Sequence, residues 1–185
     1  NTIENSNVNK NKVLGIGIGM HGVVDPINGI AVFPPHLGWK DVAIKKILEE
    51  QINLPVLIDN DCNTLTLAER WFGESIDSDS FIVLNVDYGI GAGIMIKGEL
   101  FHGVNYGGGQ IGHITVNDNG PKCSCGNYGC HETLANEAAI IKNVTKKIKQ
   151  GYNSKIIELV NNDVDLITLD HIYEAADNED DLAKQ

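Results

Sequence analysis

The chain has 185 residues, 42% of them apolar, with twenty glycines and five prolines, which predicts one globular domain or two small lobes. The net charge is −11, so the chain is a poor nucleic-acid binder by itself, because phosphate binding depends on Lys and Arg. No apolar run approaches the roughly 20 residues that span a bilayer. The leader at residues 1–12 is polar, unlike a secretory signal, and we expect a cytoplasmic protein.

The first half of the chain alternates short apolar runs with turn residues. From Val13 to Met20, apolar residues alternate with glycine, a pattern that predicts a strand approached closely by other backbone or by a ligand. Asp41 stands where it could N-cap a helix, and Gly73 where it could end one. The further elements predicted here are a strand over 30–33, a helix over 42–50, a buried strand over 55–58 and a helix over 63–72.

The second half begins with strands and ends with helices. Residues Gly89–Gly93 predict a glycine-rich loop between two strands, and Lys97–Gly98 predicts a hairpin turn. The elements predicted here are strands over 81–86 and 94–96, an extended piece over 111–116, a Cys-rich knuckle over 121–130, and helices over 133–150 and 170–183.

The segment Gly17-Ile18-Gly19-Met20-His21-Gly22 matches the G-x-G-x-x-G dinucleotide pattern. That motif requires a helix to begin at the loop, so that its N-terminus faces the pyrophosphate. Val23, Val24 and Pro26 follow instead, and this excludes the dinucleotide interpretation. Two interpretations stay open: a tightly packed strand, or a strand whose bare backbone lines a ligand cleft.

Asn60 and Asp61 close a buried strand and open a helix, the position where α/β folds place ligands. Asp61 could accept a proton from a hydroxyl group. The alternative is helix capping by Asn60 or Asp61.

Gly89, Gly91 and Gly93 could cradle a phosphate through their backbone amides. The alternative is a β-turn cluster without a ligand.

The four cysteines are unevenly placed, since Cys62 stands alone while Cys123, Cys125 and Cys130 fall within eight residues. Three thiols this close fit a metal site better than a disulfide framework. With His113 they form a Cys3His set, which is a standard structural zinc site. The rival candidates for the fourth ligand are His131 and His102. Glu132 is interpreted either as an acid favoured by a helix N-terminus or as a ligand contact held rigid by the metal.

Together these motifs resemble the ROK family of bacterial sugar kinases and sugar-responsive repressors, over about residues 13–183. The most specific block is Cys123-Ser124-Cys125-Gly126-Asn127-Tyr128-Gly129-Cys130-His131-Glu132. The others are Gly19 to Asp25, Pro34 to Trp39, Asn60 to Asn63 with Ala68-Glu69, Gly91 to Gly93, and Gly109 to His113.

The resemblance implies an α/β fold, actin-like (ribonuclease H-like) and two-lobed, of the ATPase type, with a sugar in the cleft. It also implies a chain truncated at both ends. Residues 13–60 would be the remainder of the small lobe, and residues 61–185 the large lobe with its zinc knuckle.

Matched residue by residue, the family's sugar contacts fall on Gly22, Pro35, Asn60, Asp61, Gln110, His113 and Glu132. His113 would serve both the zinc and the sugar, since metal ligation fixes the orientation of the ring. In kinase members, the residue at the position of Asp61 is the catalytic base that activates the sugar hydroxyl.

The sequence also departs from the kinase members of the family. It lacks their N-terminal Asp-x-Gly-Gly-Thr phosphate loop and their final glycine-rich adenosine segment. Asp87-Tyr88-Gly89 stands where kinases commonly carry Gly-Thr-Gly, and a carboxylate there repels ATP. Gln110 replaces the usual glutamate, so it can still hydrogen-bond a hydroxyl but carries no charge.

We therefore expect the sugar-sensing portion of a ROK-type transcriptional repressor, with a monosaccharide or amino sugar as effector. DNA binding would reside in a segment outside this chain, and the full-length protein would be a homo-oligomer. One alternative is a fragment of an ATP-dependent, glucokinase-like ROK sugar kinase, which would use ATP and Mg²⁺. Another is a zinc-stabilised interaction module without a ligand.

Overall fold

The computed structural model describes residue 5, residues 8–35 and residues 37–185. The chain divides into two compact units, the first comprising Asn1–Asn85 with Gly91–Ile111 and the second Val86–Ile90 with Gly112–Gln185. Half of the leader predicted at 1–12 lies outside the described residues, as does His36 of the 34–39 loop. The predicted boundary at residue 61 stays a prediction.

Two small pairs of strands organise the start of the first unit. Strand β1 (Ile16–Met20) runs parallel to β4 (Val56–Asn60), and β2 (Val23–Asp25) is antiparallel to β3 (Ile30–Phe33). Along β4 the apolar side chains alternate, since Val56 and Ile58 are buried whereas Leu57 is exposed. This register sets Asn60 opposite Met20, at the carboxyl ends of both strands.

The helix predicted to begin after Asp41 begins later. Helix α1 spans Ile44–Ile52, with Ala43 at its N-cap position and no side-chain cap. Asp41 instead adopts a positive φ of 53°. The reason is that Val42 pairs with Ala31 as an isolated bridge, so the backbone that would have started the helix extends a strand pairing.

The glycine-rich loop predicted over 89–93 is mostly strand. Strands β5 (Phe81–Val86), β6 (Ile90–Ile96) and β7 (Glu99–Leu100) form a sheet in that order, so Gly91 and Gly93 lie within β6. A Cβ at Gly91 would lie 2.6 Å from the Cys62 sulfur, and one at Gly93 only 1.8 Å from Thr66 Oγ1. Both glycines therefore allow β6 to approach helix α2 (Asp61–Phe72).

The second unit is largely helical. Its helices are α3 (Glu132–Ala135), α4 (Glu137–Lys149), α5 (Ile156–Leu159) and α6 (Leu169–Asp177). They bury a cluster of apolar side chains: Val144, Ile148, Ile156, Val160, Ile167, Ile172, Ala175 and Leu182. No helix within the described ranges is long and apolar enough to cross a membrane.

Two helix predictions in the second unit were too long. The helix predicted over 133–150 is broken at Asn136, whose side-chain oxygen accepts a hydrogen bond from Ala139 N and so starts α4 anew. The helix predicted over 170–183 ends at Asp177. Beyond it, the Asp180 carboxylate accepts hydrogen bonds from the amides of Lys155, Leu182 and Ala183 and organises a turn.

Candidate metal centre and ligand site

The Cys-rich knuckle is a run of tight turns rather than regular structure. His113 ends a 3-10 helix over Ile111–His113, so the extended piece predicted over 111–116 was wrong at its start. Thr115 pairs with Cys130 as an isolated bridge. Gly126 and Gly129 have φ values of 97° and 62°, a backbone conformation that glycine adopts readily and that turns the chain back on itself.

The knuckle brings four donor atoms together. A ring nitrogen of His113 and the sulfurs of Cys123, Cys125 and Cys130 all lie within 4.8 Å of one another. The sulfurs of Cys125 and Cys130 are 3.7 Å apart, and Cys123 Sγ is 3.5 Å from His113 Nδ1. A tetrahedral ion with metal–sulfur bonds of about 2.3 Å and a metal–nitrogen bond of about 2.0 Å separates its ligands by about 3.5–3.8 Å. The arrangement therefore fits a metal ion.

The protonation of these thiols is strongly perturbed. Burial and a hydrogen bond that the Cys123 thiol donates to Glu132 raise the pKa of Cys123 to about 12. Burial also acts against ionisation of Cys125, but the Asn127 amide and the neighbouring thiols outweigh it and lower the pKa of Cys125. Because cysteine binds metal as the thiolate, loading this site must release protons.

Glu132 lies against the metal-binding group. It is the first residue of α3 and is buried, and its Oε1 lies 3.0 Å from Cys123 Sγ and 3.6 Å from His113 Nδ1. His131 and His102, the rival candidates for the fourth ligand, are not members of the group found among the described residues. The ring of His102 belongs to the first unit, where it pairs with Asp59.

In the first unit, Asn60 joins two of the predicted contact positions. Its side-chain oxygen caps α2 by accepting hydrogen bonds from the amides of Cys62 and Asn63, and its Nδ2 donates to the Gly22 carbonyl at 3.0 Å. Gly22 has a φ of 88°, and a Cβ there would lie 2.3 Å from the Phe33 carbonyl oxygen. This position therefore requires glycine, and Asn60 is the helix cap that the sequence offered as one alternative.

Asp61 and Gln110 are two further predicted contacts in the first unit. Asp61 is the first residue of α2, where the positive end of the helix favours a carboxylate. Gln110 follows a loop that is closed by a hydrogen bond from Gly108 N to the His102 carbonyl. Of the seven predicted sugar contacts, five lie in the first unit and two, His113 and Glu132, in the second. The fifth in the first unit is Pro35, whose Cδ would be 3.0 Å from a Cβ on Gly22.

The segment at the predicted phosphate loop is tied to the start of α4. Glu137 N donates to the Asp87 carbonyl, and Asn136 Nδ2 donates to the Tyr88 carbonyl. Of the three predicted phosphate-loop glycines, Gly91 and Gly93 have the packing role described above, and Gly89 alone lies outside strand β6.

The family profile described as "ROK family" matches residues 1–184. The chain belongs to the ROK family. It is 42% identical to the xylose repressor of Caldicellulosiruptor bescii over 164 residues, which are 89% of this chain and 41% of that repressor. The chain thus spans about two fifths of this relative's length.

Solved structures of ROK proteins have the same fold. A ROK family transcriptional regulator, a homologue of the E. coli MLC protein, matches with a TM-score of 0.81 and 36% identity, over 92% of this chain and 42% of that one. A ROK glucokinase from Streptomyces griseus, in complex with glucose and AMPPNP, matches with a TM-score of 0.83 and 31% identity. The match covers 93% of this chain and 56% of the glucokinase chain. The expected actin-like α/β fold is confirmed.

Proposed function

We propose that this chain is the sugar-binding effector part of a ROK-type transcriptional repressor. A monosaccharide or amino sugar would contact the positions predicted from the family: Gly22, Pro35, Asn60, Asp61, Gln110, His113 and Glu132. Binding would control a DNA-binding segment outside this chain. Such control requires that the sugar have different affinities for two conformations of the protein.

The metal in this proposal is a structural zinc ion held by His113, Cys123, Cys125 and Cys130. Four protein ligands leave no open position for water, so the ion would supply folding energy and rigidity rather than catalysis. The donor atoms described above match the ligand types and separations that zinc prefers.

The observation that carries the proposal is the contact between Glu132 and the metal-binding group. The Glu132 carboxylate lies 3.0 Å from Cys123 Sγ, so the knuckle determines its position. His113 is itself a member of the group. Zinc would therefore orient both sugar contacts of the second unit, as groups around a metal commonly orient one another.

An ATP-dependent sugar kinase is the second candidate function, and its support is the glucokinase likeness. The local chemistry at Asp87 favours the repressor. Its backbone carbonyl accepts a hydrogen bond from the amide of Glu137, the first residue of α4, and the Asp87 carboxylate would repel the phosphates of ATP.

Full-length protein would be incubated with MgATP and D-xylose, D-glucose or N-acetylglucosamine, with sugar phosphate and calorimetric binding both measured. We expect binding of one of these sugars without turnover, and weaker binding in Glu132→Gln. Glu137→Gln is the matched control, because Glu137 is an acid five positions after Glu132 and contacts no sugar in this proposal. The sugar affinity of this variant should be unchanged. Turnover abolished by Asp61→Asn would establish the kinase instead.

A further inference from the structure

A partly buried hydrogen-bonded pair of side chains links the two parts of the first unit that carry predicted sugar contacts. Asp59 Oδ2 lies 2.8 Å from His102 Nε2, and the two side chains are only 15% and 28% exposed. These residues are 43 positions apart, and neither belongs to the predicted contact set. We propose that this pair positions the first unit's sugar contacts, an inference that rests on the proposed function.

On one side, Asp59 organises the junction of β4 and α2. Its Oδ1 accepts hydrogen bonds from the Asn60 amide at 2.7 Å and from Asn63 Nδ2 at 2.9 Å. Asn60 in turn caps α2 and holds the Gly22 carbonyl. A shift of the Asp59 carboxylate would therefore move Asn60, and with it the start of the helix on which Asp61 lies.

On the other side, His102 begins the loop that leads to Gln110. Its carbonyl accepts a hydrogen bond from Gly108 N at 2.7 Å, which closes the loop. Its ring contacts the Tyr106 ring edge-on, with the centroids 6.5 Å apart. Burial and the neighbouring carboxylate of the buried Asp25 raise the pKa of the Tyr106 hydroxyl. The His102 imidazole therefore contacts its own loop through Tyr106, and its hydrogen bond to Asp59 connects this loop to the junction of β4 and α2.

The loop needs such an anchor because its backbone is strained. Asn105 and Tyr106 have φ values of 58° and 60°. Asn adopts this conformation readily, but a bulky residue such as Tyr106 holds it only where its surroundings enforce it. The contacts of His102 and Asp25 provide that enforcement. Releasing His102 from Asp59 would let the loop relax and would displace Gln110.

The test compares His102→Leu, which removes the hydrogen bond, with His102→Gln, which retains an N–H donor of similar reach. The full-length protein would be titrated with D-xylose, D-glucose and N-acetylglucosamine, and amide hydrogen exchange would be followed for residues 103–110. For His102→Leu we expect the Kd to rise about tenfold and loop exchange to accelerate about tenfold, with His102→Gln within about threefold of wild type. Arg70→Gln, which breaks an ion pair to Asp79 in the same unit, is the control and should change neither.

Equal losses in His102→Gln and His102→Leu, or wild-type behaviour of His102→Leu, would overturn the proposal. If His102→Leu does not fold, Asp59→Asn provides the same comparison, with faster loop exchange expected. A merely structural role would lower the melting temperature in every variant but leave the Kd of the folded protein unchanged. If the wild type binds none of the sugars, the proposed function fails. Loop exchange in the variants then still decides whether the pair holds the loop.

Discussion

The predicted sugar contacts of the two units are held by different forces. In the first unit, Asn60 is fixed by hydrogen bonds to backbone groups at the end of a strand whose Val56 and Ile58 are buried. In the second unit, His113 and Glu132 lie beside the knuckle, and both contact the Cys123 sulfur through nitrogen or oxygen atoms. The first set can form by ordinary folding, whereas in our proposal the second set needs a metal ion to hold its donors together.

The burial of side chains in and just before the knuckle supports this contrast. Between residues 114 and 130, the buried side chains are those of Cys123 and Cys130, both metal ligands in our proposal. Ile114 and Val116 are more than half exposed. Because this segment buries so little apolar surface, our proposal is that metal binding supplies its stability, as in small metal-dependent domains.

The largest effect is expected from breaking the knuckle with Cys130→Ser. Bound zinc should fall from about one ion per chain to near zero, since a structural zinc site is built from four protein ligands. Because structural zinc binding contributes about 10–16 kcal/mol in small zinc peptides, stability should fall as well. Sugar affinity should fall with the zinc content, and metal analysis with calorimetry measures both. Cys62→Ala is the matched control, a buried cysteine outside the cluster, and should leave zinc content unchanged. Full zinc content in Cys130→Ser would contradict the assignment.

The first unit should be sensitive to packing instead of metal. In Gly93→Ala the new Cβ would lie 1.8 Å from Thr66 Oγ1 and 2.3 Å from the Cys62 carbonyl oxygen. We expect the free energy of unfolding in urea to fall by about 3 kcal/mol. Gly17→Ala is the control, because no atom lies within 4 Å of its Cβ. Equal stabilities of the two variants would show that β6 and α2 are not closely packed.

A smaller effect is expected at the junction of β4 and α2. Asn60→Ala removes both the cap and the bond to Gly22 and should cost about 2 kcal/mol of unfolding free energy. Asn60→Ser keeps a capping oxygen and loses only the donor to Gly22. It should therefore lose about half as much unfolding free energy as Asn60→Ala. Chemical denaturation of both variants, with zinc saturating, measures the difference. A similar cost in the two variants would mean that the cap contributes little.

The smallest effect concerns the helical part of the second unit. Burial opposes ionisation of Asp180, but hydrogen bonds from Lys155, Ala183, Ser154 and Leu182 outweigh it and hold the pKa of Asp180 below its ordinary value. A lowered pKa stabilises the fold above about pH 4, and this stabilisation is lost as the pH falls through the folded-state pKa.

Asp180→Asn should therefore cost about 1 kcal/mol of unfolding free energy at pH 6. The difference from wild type should begin to shrink below about pH 4 and vanish below the lowered folded-state pKa, where the native carboxylate becomes protonated. Denaturant unfolding at several pH values measures it, and zinc content should remain unchanged throughout. A difference that grows on acidification would contradict the direction of this shift.

Local features of the chain were predictable from the sequence. The thiols of the knuckle lie within eight residues of one another, so their spacing alone indicated that they converge, and the structure brings them together with His113. The strand at 30–33 and the end of α2 before Gly73 were also confirmed. These features depend on neighbours in the chain, which the sequence displays directly.

Contacts between distant segments were decided by the tertiary structure. Asp41 did not cap a helix, because Val42 pairs with Ala31. Gly91 and Gly93 predicted a loop but lie in a strand that approaches Cys62 and Thr66. No local sequence motif predicted the pairing of Asp59 with His102. Each depends on how strands and helices pack across long stretches of chain, and that is set by the folded core as a whole rather than by residue spacing.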